Sequence, residues 1–138
     1  MTSSCDKKYF LLDGNIGDKW FIALGERETG EVNILKVFSR HYNHAQFSTT
    51  DPEIFLIAQD WWHDPVSGKY YNYDHRTWIM DINQTMFKPI TPDDWNNHTA
   101  SPSHEWWSED GLICWVDYKE GVFEYDLANG NKKKVWQG

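Results

Sequence analysis

His41-Tyr-Asn-His44-Ala-Gln46-Phe47-Ser48 is echoed, sixty positions further on, by Ser103-His104-Glu105-Trp106-Trp107-Ser108. In both stretches a histidine stands three residues before an aromatic ring and four before a serine, and an acidic turn then leads into an apolar strand. One unit used twice makes repetition the property that decides the fold, because self-similarity at a fixed period is the mark of stacked supersecondary units.

The composition agrees with sheets as the repeated unit. The chain has 138 residues, 40% of them hydrophobic, which suffices for the core of one ordinary domain. Aromatic residues reach 17%, with nine Trp, seven Tyr and seven Phe, and large rings favour strands over helices. A net charge of -8 argues against nucleic acid and anionic membrane surfaces as partners, since both require a basic field. An anionic ligand would have to be met by local arginines or a bound cation. Two cysteines are too few for a disulfide framework, and Cys114, within Leu112-Ile-Cys-Trp-Val116, reads as a small core residue. The N-terminus lacks a basic region followed by an apolar stretch, and no run approaches the ~18 apolar residues of a membrane span, so a cytoplasmic protein is expected.

Taken in order, Tyr9-Phe-Leu-Leu12 reads as a strand and residues 13–18, with two glycines, as a turn. Trp20-Phe-Ile-Ala-Leu24 and Val32-Asn-Ile-Leu-Lys-Val-Phe38 follow as strands of a meander. Thr49-Thr-Asp-Pro-Glu53 is a proline turn, and Ile54-Phe-Leu-Ile-Ala58 is apolar throughout, which predicts burial on both faces. Residues 59–76, rich in Trp, Tyr, His and Asp, form a segment long for a hairpin loop, of the sort that often carries function. Thr77-Trp-Ile-Met-Asp-Ile82 and Thr85-Met-Phe-Lys-Pro-Ile90 pair around a turn at Asn83-Gln84, and residues 91–102 are irregular. Beyond His104, strands are expected over residues 112–118, 122–127 and 132–136, the last two joined by the Asn129-Gly130-Asn131 turn.

No amphipathic helix stands out, so the expectation is an all-β chain of antiparallel, β-propeller-type blades, with approximate limits 8–40, 41–98 and 99–138. Three blades make an incomplete propeller, because closed propellers take about four to eight. Either the chain is the remainder of a longer propeller, or copies associate as a homo-oligomer, or the sheets pack in some other way.

His44 and His104 fall at equivalent points at the start of an innermost strand, where propellers face their central channel. An imidazole there suits a general base or a metal ligand. Equally, the repeat keeps a histidine to hydrogen-bond the neighbouring blade, and spacing alone leaves both readings open.

The residues around them carry a resemblance. Tyr42-Asn43-His44-Ala45-Gln46, then Ala58-Gln59-Asp60-Trp61-Trp62-His63-Asp64, then Arg76-Thr77-Trp78-Ile79, then His104-Glu105-Trp106-Trp107 followed by Asp110-Gly111, resembles the oligogalacturonate lyase family in order and spacing over roughly residues 19–136. The resemblance implies a β-propeller and β-elimination on short galacturonides, without water, as in pectin degradation. It implies His44 as the base that takes the proton beside the uronate carboxylate, and His104 as one ligand of a divalent metal, manganese. His63 and Arg76 match motif positions and are expected to bind carboxylates, although Arg76 could instead pair with Asp74 on the surface. Gln46 and Trp61 complete the expected substrate-binding set, Trp61 as a ring on which a sugar face stacks.

Departures from the family pattern limit the expectation. The family's remaining metal ligands lie in a Gln-x-x-His-x-His segment that this chain does not contain, and one histidine cannot hold a catalytic metal, which takes about three protein ligands. The first loop histidine of the family is Gln59 here, and Trp20-Phe21-Ile22 stands where an arginine is expected. The metal site is therefore incomplete in this chain, which would be inactive as an isolated fragment unless ligands come from elsewhere. The alternative is a non-catalytic carbohydrate-binding or protein-interaction fragment built on the same tryptophans.

Other features have plain readings. Lys132-Lys-Lys134 is a solvated strand edge that discourages edge-to-edge pairing. Trp61-Trp62 and Trp106-Trp107 serve either as sugar platforms or as blade-packing rings. His41, His75 and His98 are expected to be exposed, and Asp93 and Asp94 to be turn formers.

Overall fold

A computed structural model describes residues 1–91 and 101–137. The expected His98, Asp93 and Asp94 lie outside the described residues. Strands β1 (Thr2–Ser3), β2 (Tyr9–Ile16), β3 (Lys19–Glu26) and β4 (Val32–Phe38) form a first antiparallel sheet in that order. The turn expected over residues 13–18 contracts to Gly17-Asp18, because Gly17 adopts a φ of 60° and lets Asp13 through Ile16 continue pairing with Lys19 through Ile22. Strand β1, too short for a periodicity reading, adds an inner edge to this sheet.

The second sheet contains β5 (Tyr42–Phe47) and β6 (Ile54–Gln59). A small hairpin of β7 (Trp62–His63) and β8 (Tyr70–Tyr71) then stands in what reads from sequence as loop, and β9 (Thr77–Asp81) and β10 (Phe87–Pro89) complete the order β10-β9-β6-β5. The third sheet runs β11 (Pro102–Trp107), β12 (Ile113–Asp117), β13 (Gly121–Asp126), β14 (Asn131–Trp136). Among the described residues there is no helix, and none of the sheets closes on itself. The architecture is all-β and propeller-type.

Why the sheets stack follows from β6. Its residues Phe55 and Ile57 enter one cluster with Leu11, Ile22, Phe38 and Phe47, between the first and second sheets. Leu56, on the opposite face, joins Ile79, Ile113, Trp115 and Phe123 between the second and third. An unbroken apolar run is thus a strand sandwiched between two others, and each of Phe55, Leu56 and Ile57 contributes about 1.5–3 kcal/mol by burial. Cys114 is buried, as expected, and burial pushes its thiol pKa up. Strand β14 is exposed along its length, with the ammonium groups of Lys132 and Lys134 5.1 and 5.5 Å from the Phe123 ring centre.

Polar bonds between neighbouring sheets lock the stacking. The Ala45 N–H donates to the Asp13 carboxylate at 3.0 Å, joining the first and second sheets. Between the second and third, Gln46 Nε2 donates to the Glu105 carbonyl at 3.1 Å, Trp107 Nε1 to the Gln46 carbonyl at 3.0 Å, and Thr49 Oγ1 to the Ser108 carbonyl at 2.5 Å. The serine-bearing ends of the two sequence repeats therefore touch each other.

Candidate functional site

The two repeated histidines share a backbone conformation rare outside glycine. His44 has φ 54° and His104 φ 45°, and in each case the pairing of the innermost strand slips at that point, between Asn43 and Gln46 in β5 and between Ser103 and Trp106 in β11. A bulge of this kind turns a side chain out of the regular alternation. Left-handed geometry costs a residue with a Cβ about 1–2 kcal/mol, so something must hold each histidine in place.

At His44 that support is a buried carboxylate. The His44 Nδ1–H donates to Glu105 Oε1 at 3.0 Å; the imidazole is half exposed, whereas the Glu105 side chain is 1% exposed. Behind Glu105 lies Arg76, whose Nε donates to Glu105 Oε2 at 3.0 Å and whose Nη1 is 3.2 Å from Asp60 Oδ1. Asn43 Nδ2 donates to Asp60 Oδ2 and to His41 Nε2, each at 3.3 Å, and His41 Nδ1–H donates to the Trp61 carbonyl at 3.1 Å. A continuous polar chain thus runs from the aromatic hairpin, through Asp60 and Arg76, to the imidazole of His44.

Its electrostatics are consistent along its length. Burial alone would raise Glu105, but the hydrogen bond from His44 and the charge of Arg76 outweigh it and hold the carboxyl below its usual range. Burial would likewise lower Arg76, yet Glu105 and Asp60 keep its guanidinium above the ordinary value. The bond to Glu105 raises His44 above an ordinary imidazole, against the opposing effect of burial. An ionised Glu105 can only accept, so neutral His44 carries its proton on Nδ1 and presents its lone pair on Nε2. That is the arrangement of an oriented general base.

The other expected residues separate into two groups. Arg76 is buried and committed to two carboxylates of this chain, and the surface pairing with Asp74 does not form: Asp74 is held instead by Arg40 at 3.1 Å. Gln46 uses its carboxamide between sheets. Gln59 is buried, donating to the Tyr42 hydroxyl at 2.7 Å and accepting from the Asp74 N–H at 2.6 Å. His63 and Trp61 stand on the exposed hairpin, His63 stacked on Tyr70 with ring centres 4.4 Å apart and Trp61 6.2 Å from the same ring. His41 and His75, expected as exposed, are partly buried: the first lies 5.2 Å from the Trp20 ring, and the second is bonded to the Thr91 carbonyl at 2.7 Å.

His104 is exposed, its ring edge against Tyr118 at 5.8 Å. Among the described residues no three His, Cys, Asp or Glu side chains converge to hold a metal ion. One imidazole beside a phenol does not constitute a manganese site, so the residues present do not fit the metal the resemblance implies.

Sequence reasoning missed Glu105 and Asp60 as partners of this cluster. The available signal was position: Glu105 follows the second repeated histidine directly, and Asp60 follows the buried run of β6.

No protein-family model and no curated protein sequence matches the chain. Solved structures do. An oligogalacturonate lyase in complex with manganese superposes with a TM-score of 0.79 at 14% identity, over 99% of this chain and 40% of that one. The oligogalacturonate lyase of Vibrio parahaemolyticus gives 0.78 at 14% identity, with the same coverage. TolB of Acinetobacter baumannii gives 0.66 at 16% identity, over 97% of this chain and 31% of its own. The chain thus shares the fold of the oligogalacturonate lyases across nearly its whole length, and it spans about 40% of theirs.

Proposed function

We propose that this chain supplies the base of a β-elimination on short galacturonides, within a propeller completed by further sheets. The observation that carries the reading is His44: an exposed imidazole, oriented through Nδ1 by a buried carboxylate, on a strained bulge and at a position the sequence repeats. Elimination begins with removal of the proton beside the uronate carboxylate. Neutral His44 Nε2 takes that proton, Glu105 stabilises the imidazolium that forms, and Arg76 keeps Glu105 ionised throughout. Cationic neutralisation of the substrate carboxylate, which such a step requires, comes from outside the side chains described here.

The aromatic hairpin supports a second reading, a carbohydrate-binding module without catalysis. Trp61 and Tyr70 are both largely exposed and lie close together, which suits a sugar face.

The test is incubation of the purified chain with digalacturonate and manganese, followed through the unsaturated uronate chromophore, beside the His44→Ala variant. Product formed by the parent and lost in the variant supports the base. Sugar binding without product, unaltered in the variant, favours the binding module, and product that persists undiminished in the variant refutes the base.

A further inference from the structure

The backbone that carries Trp61 is fixed by hydrogen bonds on every side. The Gln59 N–H donates to the Arg76 carbonyl at 2.7 Å and the Asp60 N–H to the His41 carbonyl at 3.0 Å. The Trp61 N–H donates to Asp60 Oδ1 at 2.9 Å, and the Trp61 carbonyl accepts from His41 Nδ1–H at 3.1 Å. The indole on this fixed backbone is nevertheless 57% exposed. The neighbouring Trp62 shows the contrast, packing its ring against Tyr71 and Trp20 with centres 5.4 and 5.8 Å away. A ring held on rigid backbone and left in water suits a contact surface, because the ordering is complete before a ligand arrives.

Asp60 is where this platform meets the His44 cluster. Its Oδ1 takes the Trp61 N–H and lies 3.2 Å from Arg76 Nη1, and its Oδ2 takes an Asn43 Nδ2–H at 3.3 Å. Arg76 in turn grips Glu105, which holds His44. Charge does not account for Asp60: Arg76 and Glu105 already balance, and a second carboxylate leaves the group net negative beside a site that must admit an anionic sugar. Its bonds do account for it, since they join the start of the hairpin, strand β5 through Asn43, and Arg76 at the entry to β9. Behind the larger effect of the Glu105 bond, the charge of Asp60 also acts on the His44 ring, which puts the two within electrostatic range.

We infer that Asp60 is a positioning residue for the proposed elimination, holding the Trp61 ring in fixed register with His44 so that one unit of a galacturonide stacks on Trp61 while the proton of its neighbour meets His44 Nε2. This role rests on the lyase reading and deepens it, because it makes the aromatic hairpin part of the same site. Asp60 touches neither sugar nor proton; it acts through the Trp61 backbone on one side and through Arg76 on the other. A misplacement of ~1 Å between a bound group and its base costs about 100-fold in rate, whereas stacking on a slightly shifted ring is little changed.

The full chain and its Asp60→Ala, Asp60→Asn and Trp61→Ala variants are compared on digalacturonate, with rates taken per folded molecule by circular dichroism. Asp60→Ala should lower kcat roughly 100-fold with KM within about 3-fold of the parent, and Trp61→Ala should raise KM roughly 10-fold. Asp60→Asn should recover kcat to within about 3-fold of the parent, since its carbonyl still accepts the Trp61 N–H and the buried, unpartnered Asn43 Oδ1 can accept from the new amide. Register is also read without turnover: in the manganese-free parent, one bound digalacturonate should give nuclear Overhauser contacts to both the Trp61 indole and the His44 imidazole. In Asp60→Ala the contact to Trp61 should remain and the contact to His44 vanish, whereas unfolding would remove both. Product formed equally fast by the parent and Asp60→Ala overturns the positioning role and leaves the lyase reading standing. Contacts to both rings, lost only at His44 in Asp60→Ala and without product from any protein, uphold the registration and overturn the lyase reading. A parent whose bound sugar touches Trp61 without His44, or neither ring, overturns the positioning role, as does an Asp60→Asn variant as impaired as Asp60→Ala.

Discussion

Replacing Arg76 by Met tests whether the cluster behind His44 is held together by charge. The side chains of Arg76 and Glu105 are 7% and 1% exposed, and Asp60, the other partner of Arg76, is 21% exposed. Removing the guanidinium while keeping its length strands Glu105 as a buried anion, and breaking a buried pair in this way costs about 3–5 kcal/mol. Asp60 can turn to water and adds little. The double variant Arg76→Met with Glu105→Gln removes the stranded charge and keeps an acceptor for the His44 Nδ1–H, so it should regain about 1–3 kcal/mol relative to the single change.

Urea unfolding of the three proteins gives these values, and pH supplies an independent arm. In the parent, Glu105 is held below its usual range, so it contributes stability above the unfolded carboxyl pKa, and that contribution fades as pH falls through the folded value. Without Arg76, burial dominates and raises the folded pKa, so the variant gains stability on acidification through that raised value. Equal losses in the single and double variants, or parallel pH profiles for the parent and Arg76→Met, would refute this account of the cluster.

Three further outcomes are expected. The His44 imidazole, followed by NMR, should titrate above an ordinary histidine and return toward the ordinary value in Glu105→Gln; the stability it lends is full below the unfolded pKa and fades as pH rises through the folded one, and an unmoved titration would dissociate it from Glu105. Any proton-abstracting activity should rise with pH through that same raised value, because only the neutral ring accepts a proton, and a rate that falls across this range would exclude His44 as the base. Gly121→Ala should destabilise by more than about 2 kcal/mol, since its φ of 120° suits glycine alone and an added Cβ would meet the Trp136 carbonyl; unchanged unfolding would mean that β14 does not pack as described.

Much of the fold was readable because its cause is local. Alternation and turn chemistry located most of the strands, and the apolar run at residues 54–58 announced a strand covered on both sides. The hairpin of Trp62–His63 with Tyr70–Tyr71 was not readable, since its strands are two residues each and are held by stacked rings, Trp62 on Tyr71 with centres 5.4 Å apart. At the site, the repeat marked both histidines but could not say that the residue beside the second one supports the first. That relation exists only once the second and third sheets stack, because Glu105 and His44 belong to different sheets, 61 positions apart in the chain. Arg76 shows the same limit from the other side: a cation flanked by polar residues reads as surface, and only the tertiary structure surrounds it with Glu105 and Asp60.

The joint between the second and third sheets has a kinetic corollary. Each sheet is a meander of near neighbours and can form early, whereas the carboxylate of Glu105 meets its arginine only when the two meanders dock. Assembly of the basic nitrogen and of the domain interior is therefore one event. An intermediate with its sheets formed but undocked would keep a full complement of strands and still have an ordinary, freely rotating histidine at position 44.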